Sequence, residues 1–218
     1  VAKTTNKRFP NDIEGMGVLG LCLRASNDIL ESLVYLDKAI ELNPNYAEAL
    51  INRGLIRLTK EDKASALADL EAAHRLKPHI KQIWDLVIGL KMEFKEFSET
   101  IALLTTMTEI DPNNEKASFN MALCYQELAD FDPAVVAYKK AIALKPDYAE
   151  AHCNMGSALK DQGKLDEAIE AYKNALAIKP DYADAHNNMG NTLKEQGKLD
   201  EATEAYNIAL AIKPDNAE

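Results

Sequence analysis

The sequence predicts an all-α solenoid of antiparallel helix pairs, and three observations carry that expectation. Prolines recur at Pro10, Pro44, Pro78, Pro112, Pro146, Pro180 and Pro214, each 34 residues after the last. Between them the apolar spacing is helical, as in AHCNMGSALKDQG followed by LDEAIEAYKNALAIK, with Gly163 marking the break between the two helices. Small residues also return at fixed places in each unit, where two helices must approach closely. Self-similarity at this period marks a solenoid, because one helix pair cannot bury its apolar face alone and is stabilised mainly by its neighbours.

Taking Ile13 as the first position yields six gap-free units, 13–46, 47–80, 81–114, 115–148, 149–182 and 183–216. Residues 1–12 read as the end of a truncated preceding unit and 217–218 as the start of a truncated next one, a single solenoid cut inside a longer array. Each unit is a helix A, a tight turn and a helix B. Proline stops helix B because the residue before it is pushed out of the α region. Directly afterwards, Asn11…Glu14, Asn45…Glu48, Asp147…Glu150 and Asp215…Glu218 have capping-box spacing and predict the start of the next helix A. The phrase KPDYA, at Lys145–Ala149 and again at Lys179–Ala183, is therefore punctuation between helices. The acidic rows Asp166-Glu167-Glu170 and Asp200-Glu201-Glu204 open helix B, where negative charge suits the helix dipole, and predict a solvated outer face. The unit 81–114 is degenerate: Ile88, Thr100 and Met107 replace the small residues and Lys91 stands where others have Leu or Tyr, while Trp84 and Pro112 keep it in register. Its helices are expected to sit farther apart.

The eighth position holds Gly20, Gly54, Ala122, Gly156 and Gly190; the twentieth holds Ser32, Ala66, Ala134, Ala168 and Ala202; the twenty-seventh holds Ala39, Ala73, Ala141, Ala175 and Ala209. Tyr138, Tyr172 and Tyr206 at the twenty-fourth fill the space beside them. With Pro at the thirty-second position, this pattern resembles the tetratricopeptide repeat (TPR) family along essentially the whole chain. The resemblance implies a right-handed superhelix in which helix A lines a concave groove.

Composition bounds the function. A chain of 218 residues with 47% apolar content can bury a core, and no run approaches the roughly 18 apolar residues of a membrane span. The opening VAKTTNKRFPND is too polar to read as a signal peptide. Cys22, Cys124 and Cys153 are odd in number and widely spaced, which fits neither a disulfide framework nor a metal site and points to a reducing, cytoplasmic compartment. A net charge of −10 disfavours nucleic acid, whose phosphates need the opposite sign. No cofactor is expected, since no glycine-rich phosphate loop appears. Catalysis has little support: His152 and His186 are a 34-residue pair where the family often carries an aromatic, so they are read as packing residues.

The family resemblance assigns the groove face to particular positions of helix A. In the first two units these are mostly apolar, with Val18, Leu21, Ile51 and Leu55; in the last three they are polar, with Ser157, Lys160, Asn187, Asn191 and Lys194. The sixth position repeats one residue type, as Asn52, Asn120, Asn154 and Asn188. A side-chain amide offers an acceptor and two donors, so it can pair with peptide backbone without reading side chains. Three extended residues cover about 10 Å, close to the 8–10 Å spacing of packed helices, so such a ladder can keep an extended chain in register. This resembles the asparagine ladder of O-linked N-acetylglucosamine transferases, whose last repeats resemble NNMGNTLKEQGKLDEA in wording. A carboxylate clamp is disfavoured, because the fifth position reads Gly17, Ile51, Asp85, Phe119, Cys153 and Asn187 without a cation.

The leading expectation is a non-enzymatic scaffold that binds a protein, as an extended peptide or a partner helix, with neither nucleic acid nor membrane as partner. The alternative is the substrate-recruiting arm of a larger enzyme, such as a glycosyltransferase or sulfotransferase. The last helix B, with Ala209, Leu210 and Ile212 uncovered, further predicts head-to-tail self-association.

Overall fold

The computed structural model describes residues 12–214, and among them it contains twelve α-helices and no strand. The first helices of the pairs are α1 (Ile13–Ala25), α3 (Ala47–Thr59), α5 (Lys81–Glu93), α7 (Glu115–Glu127), α9 (Ala149–Asp161) and α11 (Ala183–Glu195). The second helices are α2 (Ile29–Leu42), α4 (Lys63–Leu76), α6 (Phe97–Ile110), α8 (Phe131–Leu144), α10 (Leu165–Ile178) and α12 (Leu199–Ile212). The fold is an all-α solenoid of helix pairs.

Two kinds of turn link them. Each first-to-second turn carries one residue at positive φ: Asn27 (62°), Glu61 (60°), Lys95 (61°), Ala129 (56°), Gly163 (76°) and Gly197 (79°). Glycine adopts this conformation without steric cost, while the four residues with side chains carry the left-handed penalty and still make the same turn. The second-to-first turns are closed by backbone bonds such as Tyr148 N–H to Lys145 C=O and Tyr182 N–H to Lys179 C=O, both 3.2 Å, with proline second in the turn.

That geometry corrects the capping boxes expected at Asn45…Glu48 and Asp147…Glu150. Proline occupies the second turn position, so Asn45 and Asp147 fall third, one residue short of the cap. Tyr46 and Tyr148 are the N-caps instead, without a side-chain cap bond. Side chains do cap α1, where Asp12 accepts from the Gly15 amide at 2.9 Å, and α7, where Asn114 accepts from the Ala117 amide at 2.9 Å. Asn11 of the first expected box, the Asp215…Glu218 box and the terminal fragments 1–11 and 217–218 lie outside the described residues.

The chain divides into two compact units, one reaching to Lys95 and one starting at Glu96. The division falls in the turn of the degenerate repeat. In the first unit, a Cβ added to Gly20 would stand 2.7 Å from the Leu36 side chain, and one on Gly54 would stand 3.0 Å from Leu70. Leu36, Leu70, Ala39 and Ala73 are fully buried, so the eighth, twenty-fourth and twenty-seventh positions meet inside each pair. A charged cluster ties α2, α3 and α4 together. Buried Asp69 accepts from Arg53 Nε and Nη2 at 2.9 and 2.7 Å and from Arg57 Nη1 at 2.7 Å, while Arg53 Nη1 donates to Asp37 at 2.8 Å. Two guanidinium groups thus satisfy a carboxylate that would be costly to bury alone. Lys91, in place of an apolar residue, is buried as well and pairs with Glu71 of α4 at 2.7 Å.

In the second unit tyrosine takes the place of leucine. A Cβ on Gly156 would lie 2.7 Å from the Tyr172 ring and one on Gly190 would lie 2.8 Å from Tyr206, and Tyr138 and Tyr172 are fully buried. Successive pairs are also stitched on the outside, where Gln162 Nε2 donates to Asp132 and Gln196 Nε2 to Asp166, both at 2.8 Å. The remaining acidic residues of those rows are exposed. At the last helix, Ala209 is buried within its own pair, contrary to the expectation that it lies uncovered, because the twenty-seventh position faces α11. Leu210 is exposed and Ile212 partly so.

Two outcomes follow from this packing. Gly156→Val is expected to lower unfolding stability by about 1–3 kcal/mol, since the added methyls meet the immobile Tyr172 ring; a denaturation midpoint equal to wild type would contradict it. Cys124 and Cys153 are buried, with burial raising each thiol to about 11, whereas Cys22 is exposed. Titration with an aromatic disulfide reagent should therefore find one reactive thiol in the folded chain and all of Cys22, Cys124 and Cys153 in denaturant.

Candidate functional site

The expected polar positions lie on α7, α9 and α11 of the second unit. Asn120, Asn154 and Asn188 are each partly exposed. Asn188 Nδ2 lies 3.4 Å from Ser157 Oγ on α9, so the first helices of successive pairs touch along this face. Lys160 reaches Glu195 of α11 at 3.9 Å and Asp161 at 3.6 Å, so its ammonium is already shared by two carboxylates. Asn187 and Lys194 are exposed, and exposed Asn191 accepts a 2.8 Å bond from the Tyr206 hydroxyl.

The fourth member of the asparagine series differs. Asn52, in the first unit, is 6% exposed and donates from Nδ2 to the Glu48 carbonyl of its own helix at 2.7 Å. It faces its own backbone, so it departs from the expected groove site. Among the expected apolar residues, Val18 and Leu21 are 55% and 41% exposed, while Ile51 and Leu55 are partly buried. Gly17 is buried beneath the Tyr46 ring, which occupies the place a side chain would need.

The histidines have a shared structural task. His152 Nε2 bonds the Pro146 carbonyl at 3.2 Å and His186 Nε2 the Pro180 carbonyl at 3.0 Å, as Trp84 Nε1 does with Pro78 at 2.8 Å. One ring N–H therefore locks the proline turn to the next first helix in three units. Among the described residues no group of three or more His, Cys, Asp or Glu is arranged to hold a metal ion. No described helix is long and apolar enough to cross a membrane.

Sequence reasoning missed the reach of the tyrosine hydroxyls. They were read as space fillers, yet Tyr138 OH donates to Gln126 Oε1 at 2.8 Å, and Tyr172 OH lies 3.2 Å from Ser157 Oγ. It also missed the Asp69 cluster and the glutamine–aspartate rungs. For the Gln196–Asp166 rung a signal was present, since QGKLD recurs after 34 residues and its two copies supply both partners, whereas Asp132 lies outside that phrase.

The comparisons with known proteins agree with this architecture. The family described as tetratricopeptide repeat matches residues 18–79 and 183–216, and that described as TPR repeat matches 130–163 and 156–197; together they extend over well more than half of the chain. The chain is 32% identical over 72 residues to the photosystem I assembly protein Ycf3 of Acaryochloris marina, a stretch covering 33% of this chain and 43% of that protein. Among solved structures it resembles YrrB, described as a TPR protein with an unusual peptide-binding site, with a TM-score of 0.73 at 20% identity over 85% of this chain and 95% of that one. It also resembles the MamA protein, with a TM-score of 0.70 at 23% identity over 78% of this chain and 93% of that one. At these identities the structural likeness concerns the fold. With the 34-residue register, the helix pairs and the matching family descriptions in agreement, the chain belongs to the tetratricopeptide repeat family.

Proposed function

We propose that this chain is a protein-interaction scaffold that holds an extended peptide along the face formed by α7, α9 and α11. The observation that carries this reading is the repetition of a partly exposed asparagine at the same place on three successive first helices, with Asn188 in contact with the neighbouring helix through Ser157. Side-chain amides at that spacing match the repeat of an extended backbone, and the two carboxylates that engage Lys160 favour main-chain recognition over reading of acidic side chains. The peptide-binding description of YrrB and the assembly role named for Ycf3 accord with a scaffold role here.

Two further readings have an observation in their favour. Exposed Val18 and Leu21 on α1 suit the apolar side of a partner helix. The wording NNMGNTLKEQGKLDEA, which resembles the repeats of O-linked N-acetylglucosamine transferases, suits an arm that recruits substrates to a separate catalytic domain. The full reading frame distinguishes this last possibility from an independent scaffold.

The test is a peptide array probed with wild-type chain and with Asn120, Asn154 and Asn188 changed together to Ala. Losing three hydrogen bonds of about 1 kcal/mol each is expected to weaken binding by roughly two orders of magnitude. Binding that survives the triple substitution unchanged would remove the ladder.

A further inference from the structure

A cavity of about 250 Å³ lies among the last three helices of the second unit, lined by residues of α10, α11 and α12. Ile169, Met189, Leu193, Ala205 and Ile208 give it apolar surface, and the spacing of His186, Met189 and Leu193 puts these three on one side of α11. None of its lining residues belongs to the asparagine row.

His186 brings an unsatisfied group to this cavity. The residue is only 9% exposed, and its two ring nitrogens differ. Nε2 lies 3.0 Å from the Pro180 carbonyl, which can only accept, so Nε2 carries the proton of the neutral ring. Nδ1 is then a bare acceptor, buried and without a partner. A buried acceptor left unmade is costly, and a donor that enters the cavity removes that cost. The arrangement has a near-copy one unit earlier, where His152 Nε2 bonds the Pro146 carbonyl and Nδ1 is again buried without a partner. Between the two sets of equivalent positions the lining changes only from Val135 to Ile169 and from Asn174 to Ile208.

Size, charge and the orphan nitrogen together select an occupant. Small-molecule sites span roughly 300–1,000 Å³, so this smaller cavity has room for a single ring system. Lys173, Lys198, Glu201 and Glu204 stand around it, two charges of each sign, so neither a carboxylate nor an ammonium group is favoured and a neutral body fits. We infer that the cavity receives an aromatic side chain with one donor, tryptophan or tyrosine, from a partner protein. The ring packs against Met189, Leu193 and Ile208, and its N–H or O–H is donated to His186 Nδ1. Such side chains combine a large apolar area with one polar handle, and they dominate the energetics of protein interfaces.

Titration of the full chain with N-acetyl-L-tryptophan amide, followed by NMR at the methyl groups of Met189 and Ile208, tests this. Saturable shifts at both methyls are expected with a Kd on the order of 1 mM, the scale for one small ring, while fully buried Met16 of the first unit stays fixed. Methylating the indole nitrogen of the probe removes its donor and should raise Kd about fivefold, the worth of one ordinary hydrogen bond. Ile208→Asn, which introduces the residue that α10 already carries at the equivalent position, should also weaken binding about fivefold with an unchanged circular dichroism spectrum. Absence of saturable shifts at either methyl would overturn the site. Equal Kd for the probe and its methylated form would overturn the bond to His186, and this comparison needs no variant. Unchanged binding in Ile208→Asn would overturn the placement of the ring. The triple asparagine variant should bind the probe as wild type does, and loss of binding there would overturn the independence of the two sites.

Discussion

The close approach of two helices within each pair is the constraint on which the rest of this structure depends. It needs a residue without bulk at the eighth position and a large one at the twenty-fourth to fill what remains. Gly20 with Leu36 and Gly156 with Tyr172 show two versions of the same contact, with hypothetical Cβ distances of 2.7 Å in both. A large side chain that fills the space where the glycine's Cβ would stand leaves no room for sliding. The pair therefore becomes a rigid block, and rigid blocks can be stacked at a regular interval.

Stacking then brings residues that are far apart in the chain onto neighbouring helices. In the second unit the 34-residue period returns the sixth position on each first helix, and the contact of Asn188 with Ser157 joins α11 to α9. Elsewhere on the surface, the glutamine–aspartate rungs also join successive pairs, with neutral donors and carboxylates. Tyrosine in place of leucine adds a hydroxyl to an otherwise apolar plug, and that hydroxyl reaches polar groups on the first helices. Packing and interhelix hydrogen bonding thus share one side chain in the second unit, whereas Leu36 and Leu70 serve packing alone in the first.

The first unit uses a different internal chemistry. There, Arg53 and Arg57 enclose Asp69, and the hydrogen bonds that Arg53 donates to that carboxylate hold its guanidinium even more firmly charged than usual. Such a cluster is stabilising only while all its members are present, because removing one strands a buried charge. Lys91 with Glu71 is a second instance beside the degenerate repeat.

Much of the architecture was legible in the sequence, because helix termination by proline, helical apolar spacing and the need for small residues at close contacts are all local rules. The helices begin at Ile13, Ala47, Lys81, Glu115, Ala149 and Ala183, where those rules place them. The caps were misread at Asn45 and Asp147, since a proline turn and a capping box draw on the same residues and only the backbone path shows which forms. Asn52 and Asn188 share one repeat position, yet one bonds its own helix and the other a neighbouring helix. Periodicity by itself determined the register, the helix pairs and the family. The tertiary structure alone decided which amides stay available and which way they point, because hydrogen-bond direction depends on partners brought in from other helices.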